Sequence, residues 1–228
     1  MKYLTTQQLK SMFISGAEEV EKQYKYIDQL NVFPIPDGDT GTNLKITLNG
    51  ACKSIATLTQ ENISVLTKSF ANGLLMNARG NSGVIFSQIF YGLANSFSSL
   101  EDKVEISDFV SGFASASTYA YKSVSNPVEG TILTVIRLVS KKLDEAKTKE
   151  VLATAKEYVS QIFGKSHEEA ENLAKEYAEK LGIKLGDFMM PIRMAVTGSR
   201  VSPPLIGSIW ILGKEKALSR IEKTLAAF

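Results

Sequence analysis

Residues 9–27, LKSMFISGAEEVEKQYKYI, decide the fold. Leu9, Met12, Phe13, Ala17, Val20, Tyr24 and Ile27 line one stripe at mostly three- and four-residue intervals, the repeat of an amphipathic helix. Similar stripes run through about 43–57, 62–77, 84–98, 108–125 and 131–146, and no run of alternating strand residues separates them. The pattern predicts an all-α chain. Ser107 and Asp108 before one apolar run, and Ser166 with Glu169 as a capping box, mark helix starts.

Composition narrows the function without choosing it. The chain has 228 residues, 44% apolar and 22% charged, with a net charge of +2 that creates no field strong enough to imply nucleic acid. With one cysteine, Cys52, and one histidine, His167, an internal disulfide and a Cys/His zinc cluster are both excluded. Residues 1–13 lack a signal-peptide core, and no stretch is apolar enough to span a bilayer, so a soluble, unprocessed, cytoplasmic protein is expected. Up to residue 141 the polar residues are mostly Ser, Asn and Thr; Lys141 to Lys180 is dense in Lys and Glu. That change predicts two domains, 1–149 and 150–228.

Between the first two stripes stands Asn31-Val32-Phe33-Pro34-Ile35-Pro36-Asp37-Gly38-Asp39-Thr40-Gly41-Thr42-Asn43. Pro34 and Pro36 stop any helix and stiffen the approach to Asp37 and Asp39. Two carboxylates flanking a glycine can face one hard cation, and oxygen donors favour magnesium. An EF-hand is excluded: counted from Asp37, its glycine position holds Thr42 and its glutamate position Leu48. Gly41-Thr42-Asn43 then opens a helix, whose free N–H groups attract phosphate. A turn with ordinary N-caps accounts for an isolated Asp or Thr, but for neither the second carboxylate nor the paired prolines.

Two further loops lead into helices. Asn77-Ala78-Arg79-Gly80-Asn81-Ser82-Gly83 reads equally as a phosphate cradle or a helix–helix turn, with the helix beginning near Val84. Asn126-Pro127-Val128-Glu129-Gly130-Thr131 reads alone as a plain helix start. A Walker A motif is absent, because Gly164-Lys165-Ser166 has Val159 where the first glycine belongs.

Together the three loops resemble the nucleotide-binding domain of the dihydroxyacetone kinase family, in its fatty-acid-kinase branch, from the first helix to about residue 147. The resemblance implies an antiparallel helical barrel or bundle that binds ATP and Mg2+ at one end and acts as an ATP-dependent kinase. It implies Asp37 and Asp39 as catalytic metal ligands, with Asn31 as a third. Gly41, Thr42, Asn43, Gly80, Asn81, Ser82, Gly83 and Thr131 would contact phosphate or nucleotide. The acceptor, a fatty acid or a dihydroxyacetone-like molecule, would be presented by a partner protein or domain. No string after residue 149 matches the family's late Asp-Ser-Gly-Gly-type motif, which predicts binding with impaired turnover.

The remainder, from about 155 and above all Leu181 to Phe228, is similar to the C-terminal anticodon-binding region of bacterial glutamyl-tRNA synthetase. Pro191-Ile192-Arg193-Met194-Ala195-Val196-Thr197-Gly198, Ser202-Pro203-Pro204 and Leu212-Gly213-Lys214-Glu215 carry that likeness. It implies a smaller helical segment able to bind tRNA through Lys184, Arg193, Arg200, Lys214, Lys216, Arg220 and Lys223, although such residues usually form a solvated face. Ser202-Pro203 reads as a helix start and Gly213 as its end; Phe188 and Trp210 read as core, and His167 as surface. Two family ends in one chain imply a fusion or chimera.

Overall fold

The computed structural model describes residues 3–32, 35–58 and 62–228. Phe33 and Pro34, one of the two stiffening prolines, lie outside them. The chain is all-α, as the stripes predict, with two three-residue strands in addition. It divides into two compact units, Met1–Lys141 and Lys142–Phe228.

The first unit contains β1 (Tyr3–Thr5), α1 (Thr6–Leu30), α2 (Thr40–Ala56), α3 (Ile63–Met76), α4 (Gly80–Ser96), β2 (Lys103–Glu105), α5 (Ile106–Lys122) and the beginning of α6 (Ile132–Gln161). A Thr5–Gln8 capping box starts α1. Its stripe packs inward, with Leu9 and Ala17 buried, while Met12 at the margin is half-exposed. In α5 the cap is Glu105 rather than Ser107, and Asp108 closes the box from the third helical position. Each of α1 to α4 packs on the next in sequence. Phe70, fully buried, stacks on Phe13 with ring centroids 4.4 Å apart and meets Phe90 edge-on at 5.1 Å. Apolar burial with aromatic contacts of this kind is the main favourable term in such a bundle.

Backbone pairing fixes which ends of the helices lie together. β1 pairs antiparallel with β2, Leu4 opposite Val104, joining the starts of α1 and α5. The Ile63 N–H donates to Glu101 O at 2.6 Å and Ser64 N–H to Leu100 O at 3.1 Å, adding the start of α3. Because α1, α3 and α5 all begin there, the connections α1–α2, α3–α4 and α5–α6 emerge together at the opposite end, hereafter the loop end.

The second unit comprises the rest of α6, α7 (His167–Leu181), α8 (Leu185–Thr197), α9 (Leu205–Leu212) and α10 (Lys214–Ala226). α6 runs on well past residue 146, and Leu152, Tyr158, Val159 and Ile162 are fully buried in this unit's core. Ser166 and Glu169 form the expected capping box, and Gly213 ends α9 with φ +84°. α9 starts at Leu205, not at Pro203, because a residue before proline is disfavoured from helical geometry. Phe188 is buried, the Trp210 indole N–H donates to Ile162 O at 3.2 Å, and His167 stays on the surface 3.6 Å from Glu171.

The α4–α5 contact depends on Gly92. A Cβ there would stand 2.6 Å from the Ala116 Cα, so the two backbones must part to admit one. Gly92→Val should cost about 1–3 kcal/mol, the usual range for overpacking. In urea unfolding the midpoint should fall with the slope unchanged.

Candidate functional site

The α1–α2 connection is built from the last turn of α1. Asp28 accepts from Thr42 N–H at 2.9 Å and from the Thr42 hydroxyl at 2.7 Å, and the Gly41 N–H points at the same carboxylate. Partial burial pushes the Asp28 carboxyl up, but these bonds outweigh it and hold it below its ordinary value. One turn earlier, the Tyr24 carbonyl lies where any side chain at 41 would be: a Cβ on Gly41 would sit 2.0 Å from its oxygen. Thus α1 grips the second and third residues of α2, and the Thr42 donors expected to contact nucleotide are engaged within the fold.

Asp37 and Asp39 are both exposed on either side of Gly38, which takes φ +63°. The Asn31 side-chain amide donates to Asp37 Oδ1 at 2.5 Å, so Asn31 supports Asp37. Asp39 occupies the N-cap position of α2 but makes no side-chain capping bond.

The second loop meets the first. A Cβ on Gly80, which has φ +58°, would lie 2.4 Å from the Asn43 amide nitrogen, so the start of α4 touches the start of α2. The buried Thr47 hydroxyl donates to Asn43 O at 2.7 Å and accepts from Arg79 N–H at 3.2 Å, stitching the two together. Here α4 begins at Gly80 rather than near Val84, so Gly80, Asn81, Ser82 and Gly83 form its first turn. Gly83 N–H reaches Arg79 O at 2.9 Å, and Arg79 at the N-cap position makes no side-chain capping bond. The N–H groups of Gly80, Asn81 and Ser82 therefore face outward without helical partners.

The third loop stands at the same end. Glu129 accepts from the Tyr121 hydroxyl at 2.8 Å, from Thr134 at 2.5 Å and from Arg137 Nη2 at 2.9 Å. Gly130 N–H donates to Thr134 Oγ1 at 2.8 Å. The Thr131 hydroxyl turns back to Val128 O at 2.9 Å, a local role beside its expected one toward nucleotide. Arg137 first, then Thr134 and Tyr121, draw the Glu129 carboxyl down from 4.5 to about 2.

Other features lie elsewhere. A cavity of about 230 Å³ between α3 and α4, lined by Lys68, Asn72, Tyr91 and Asn95 among others, is separate from the three loops. Among the described residues no three His, Cys, Asp or Glu gather as a metal cage, and no helix is long and apolar enough to cross a membrane. Of the tail's seven basic residues, Arg193 holds Ser202 and Pro203, Arg220 donates to Val196 O at 2.5 Å, and Lys214 to Ser160 O at 3.3 Å. These three staple backbone carbonyls.

The first unit, helical but for one short strand pair, carries two exposed carboxylates and the start of α4 at one end; comparison supplies the family. The DAK2 domain profile matches residues 34–182, and the chain belongs to the DAK2 domain family. It is 49% identical over 131 residues to an uncharacterized protein of Mycoplasma pneumoniae, covering 55% of this chain and 24% of the relative. It is 45% identical over 140 residues to one of Mycoplasma genitalium, covering 59% and 25%. An uncharacterized protein of Staphylococcus aureus is 40% identical over 162 residues, covering 71% and 29%. The chain thus spans about a quarter of the length of these relatives. The family match continues past residue 147 to 182, taking in the beginning of the segment likened to a tRNA synthetase. None of these findings carries the synthetase likeness.

The Glu129 network gives a pH signature. Because its carboxyl is depressed, its contribution is present in full above 4.5 and is lost as pH falls through about 2. The urea midpoint of the unaltered chain should exceed that of Glu129→Gln at pH 6, and the gap should close between pH 4.5 and pH 2. A gap that persists at the acid end would show that the charge is not what Glu129 contributes.

Proposed function

We propose that the first unit binds Mg–ATP at its loop end and serves the transfer of the terminal phosphate to an acceptor that a partner protein or domain presents. The observation that carries this reading is the juxtaposition, through Asn43 and Gly80, of the Asp37–Asp39 turn with the uncapped start of α4. Two exposed carboxylates without a third make a poor cage for a resident ion, but they suit magnesium, which commonly takes one or two carboxylates together with substrate phosphates. Asp37 and Asp39 would hold the metal, with Asn31 orienting Asp37 through its amide. The N–H groups of Gly80, Asn81 and Ser82 would receive phosphate oxygens at the positive end of α4. Bound there, the metal supplies neutralisation of charge as the phosphate transfers.

In this reading no histidine or cysteine nucleophile is needed, since phosphoryl transfer rests on positioning and charge. Because Asp37 and Asp39 are exposed, water exclusion must come with the acceptor and its carrier. A fatty acid or a dihydroxyacetone-like compound is the acceptor class that the family likeness suggests.

ATP should raise the melting temperature only when Mg2+ is present, and Mg2+ alone should do little. At a ligand concentration a hundredfold above Kd the gain corresponds to about 2.7 kcal/mol. Asp37→Ala and Asp39→Ala should each abolish it. An unaltered chain whose melting temperature ignores Mg–ATP would contradict the reading.

A further inference from the structure

We propose that Asp28 is the positioning residue of this metal–nucleotide site: by capping α2 from the neighbouring helix, it releases Asp39 from that task and leaves the Asp39 carboxylate to the cation. The inference rests on the Mg–ATP reading and goes beyond it, since Asp28 belongs to none of the three loops.

An aspartate at the N-cap position ordinarily turns its carboxylate onto the N–H groups of the second and third helical residues. In α2 these are Gly41 and Thr42, and Asp39 holds the N-cap position. Yet Asp39 makes no capping bond, and its backbone, with φ −122° and ψ 2°, is away from the extended geometry usual for a capping residue. Asp28 accepts the Thr42 N–H at 2.9 Å and the Thr42 hydroxyl at 2.7 Å from across the α1–α2 interface, with the Gly41 N–H turned toward the same carboxylate. The Thr42 donors are therefore engaged without Asp39.

The attachment is rigid because it is made twice. Tyr24 and Asp28 lie one turn apart on α1, and the Tyr24 carbonyl fills the space beside Gly41 while Asp28 holds Thr42. This fixes the first turn of α2 against α1, and Asn31, which ends α1, donates to Asp37 at 2.5 Å from the same scaffold. Each site carboxylate is thus set by a residue of α1 or its cap, one by direct support and the other by relief from a competing bond. Groups that orient a metal's ligands in this way commonly govern affinity by about 10–100-fold.

Without Asp28, the vacated N–H groups of Gly41 and Thr42 offer Asp39 its ordinary capping bonds, in competition with the metal. The test uses the full chain and titrates Mg2+ at fixed ATP, reading the melting-temperature gain. Asp28→Ala should move the Mg2+ midpoint about tenfold higher, whereas Asp28→Asn, which keeps one acceptor oxygen for Thr42, should move it less. Should the alanine variant fail to fold, a raised midpoint in the asparagine variant sustains the proposal. A lower melting temperature without ligand, accompanied by an unchanged Mg2+ midpoint in both foldable variants, would overturn it and leave Asp28 a structural cap alone. If the unaltered chain shows no Mg–ATP response at all, it is the nucleotide reading that fails, a result distinct from a response that Asp28 does not influence.

Discussion

The tie between Asp28 and the first turn of α2 orders the loop end, and much of the first unit's geometry follows from it. A helix start leaves N–H groups without partners, and here a carboxylate from the preceding helix takes the Thr42 N–H together with the Thr42 hydroxyl. This draws α1 and α2 close enough that residue 41 has no room for a side chain. With α2 so placed, Asn43 covers Gly80 and Thr47 reaches Arg79, so α4 begins where α2 begins. Up-and-down alternation then carries the α5–α6 loop to the same end, where Glu129 holds its shape through Tyr121, Thr134 and Arg137.

The three connections are not equivalent. In the first, helix-start donors are consumed internally, and what remains outward is negative: Asp37 and Asp39. At the second, three N–H groups are left at the positive end of α4. A bound Mg–nucleotide would bridge them, metal toward the carboxylates and phosphate toward the amides. The third offers a hydrogen-bonded wall whose hydroxyls and guanidinium are largely committed to Glu129 and the local backbone.

Much of the fold was legible because its signals are local. The stripe from Leu9 to Ile27, the Ser166–Glu169 box and the Gly213 stop each lie within a few residues of what they determine. The stripe assigned to α6 stopped at about 146, although no Gly or Pro interrupts residues 131–163, because the change to Lys and Glu at 141 suggested an earlier boundary. A shift in surface charge changes which face is solvated without breaking a helix. Asp37, Asp39 and Gly80 to Gly83 stood out by spacing. Asp28 did not, because its partner lies fourteen residues on and, within α1, it resembles any polar residue of a solvated face. Thr47 was hidden for the same reason: a threonine inside a helix reads as neutral until Arg79 N–H arrives from thirty-two residues away. The pairing of Glu129 with Arg137, eight residues on, was unmarked as well.

The central claim is that the loop end holds a metal-bridged nucleotide. A crystal structure of the chain grown with Mg2+ and a non-hydrolysable ATP analogue tests it most directly. The account predicts a cation about 2.1 Å from oxygens of Asp37 and Asp39, with phosphate oxygens on the N–H groups of Gly80, Asn81 and Ser82. A nucleotide seated instead in the α3–α4 cavity beside Lys68 and Tyr91, with the Asp37–Asp39 turn holding no metal, would contradict it.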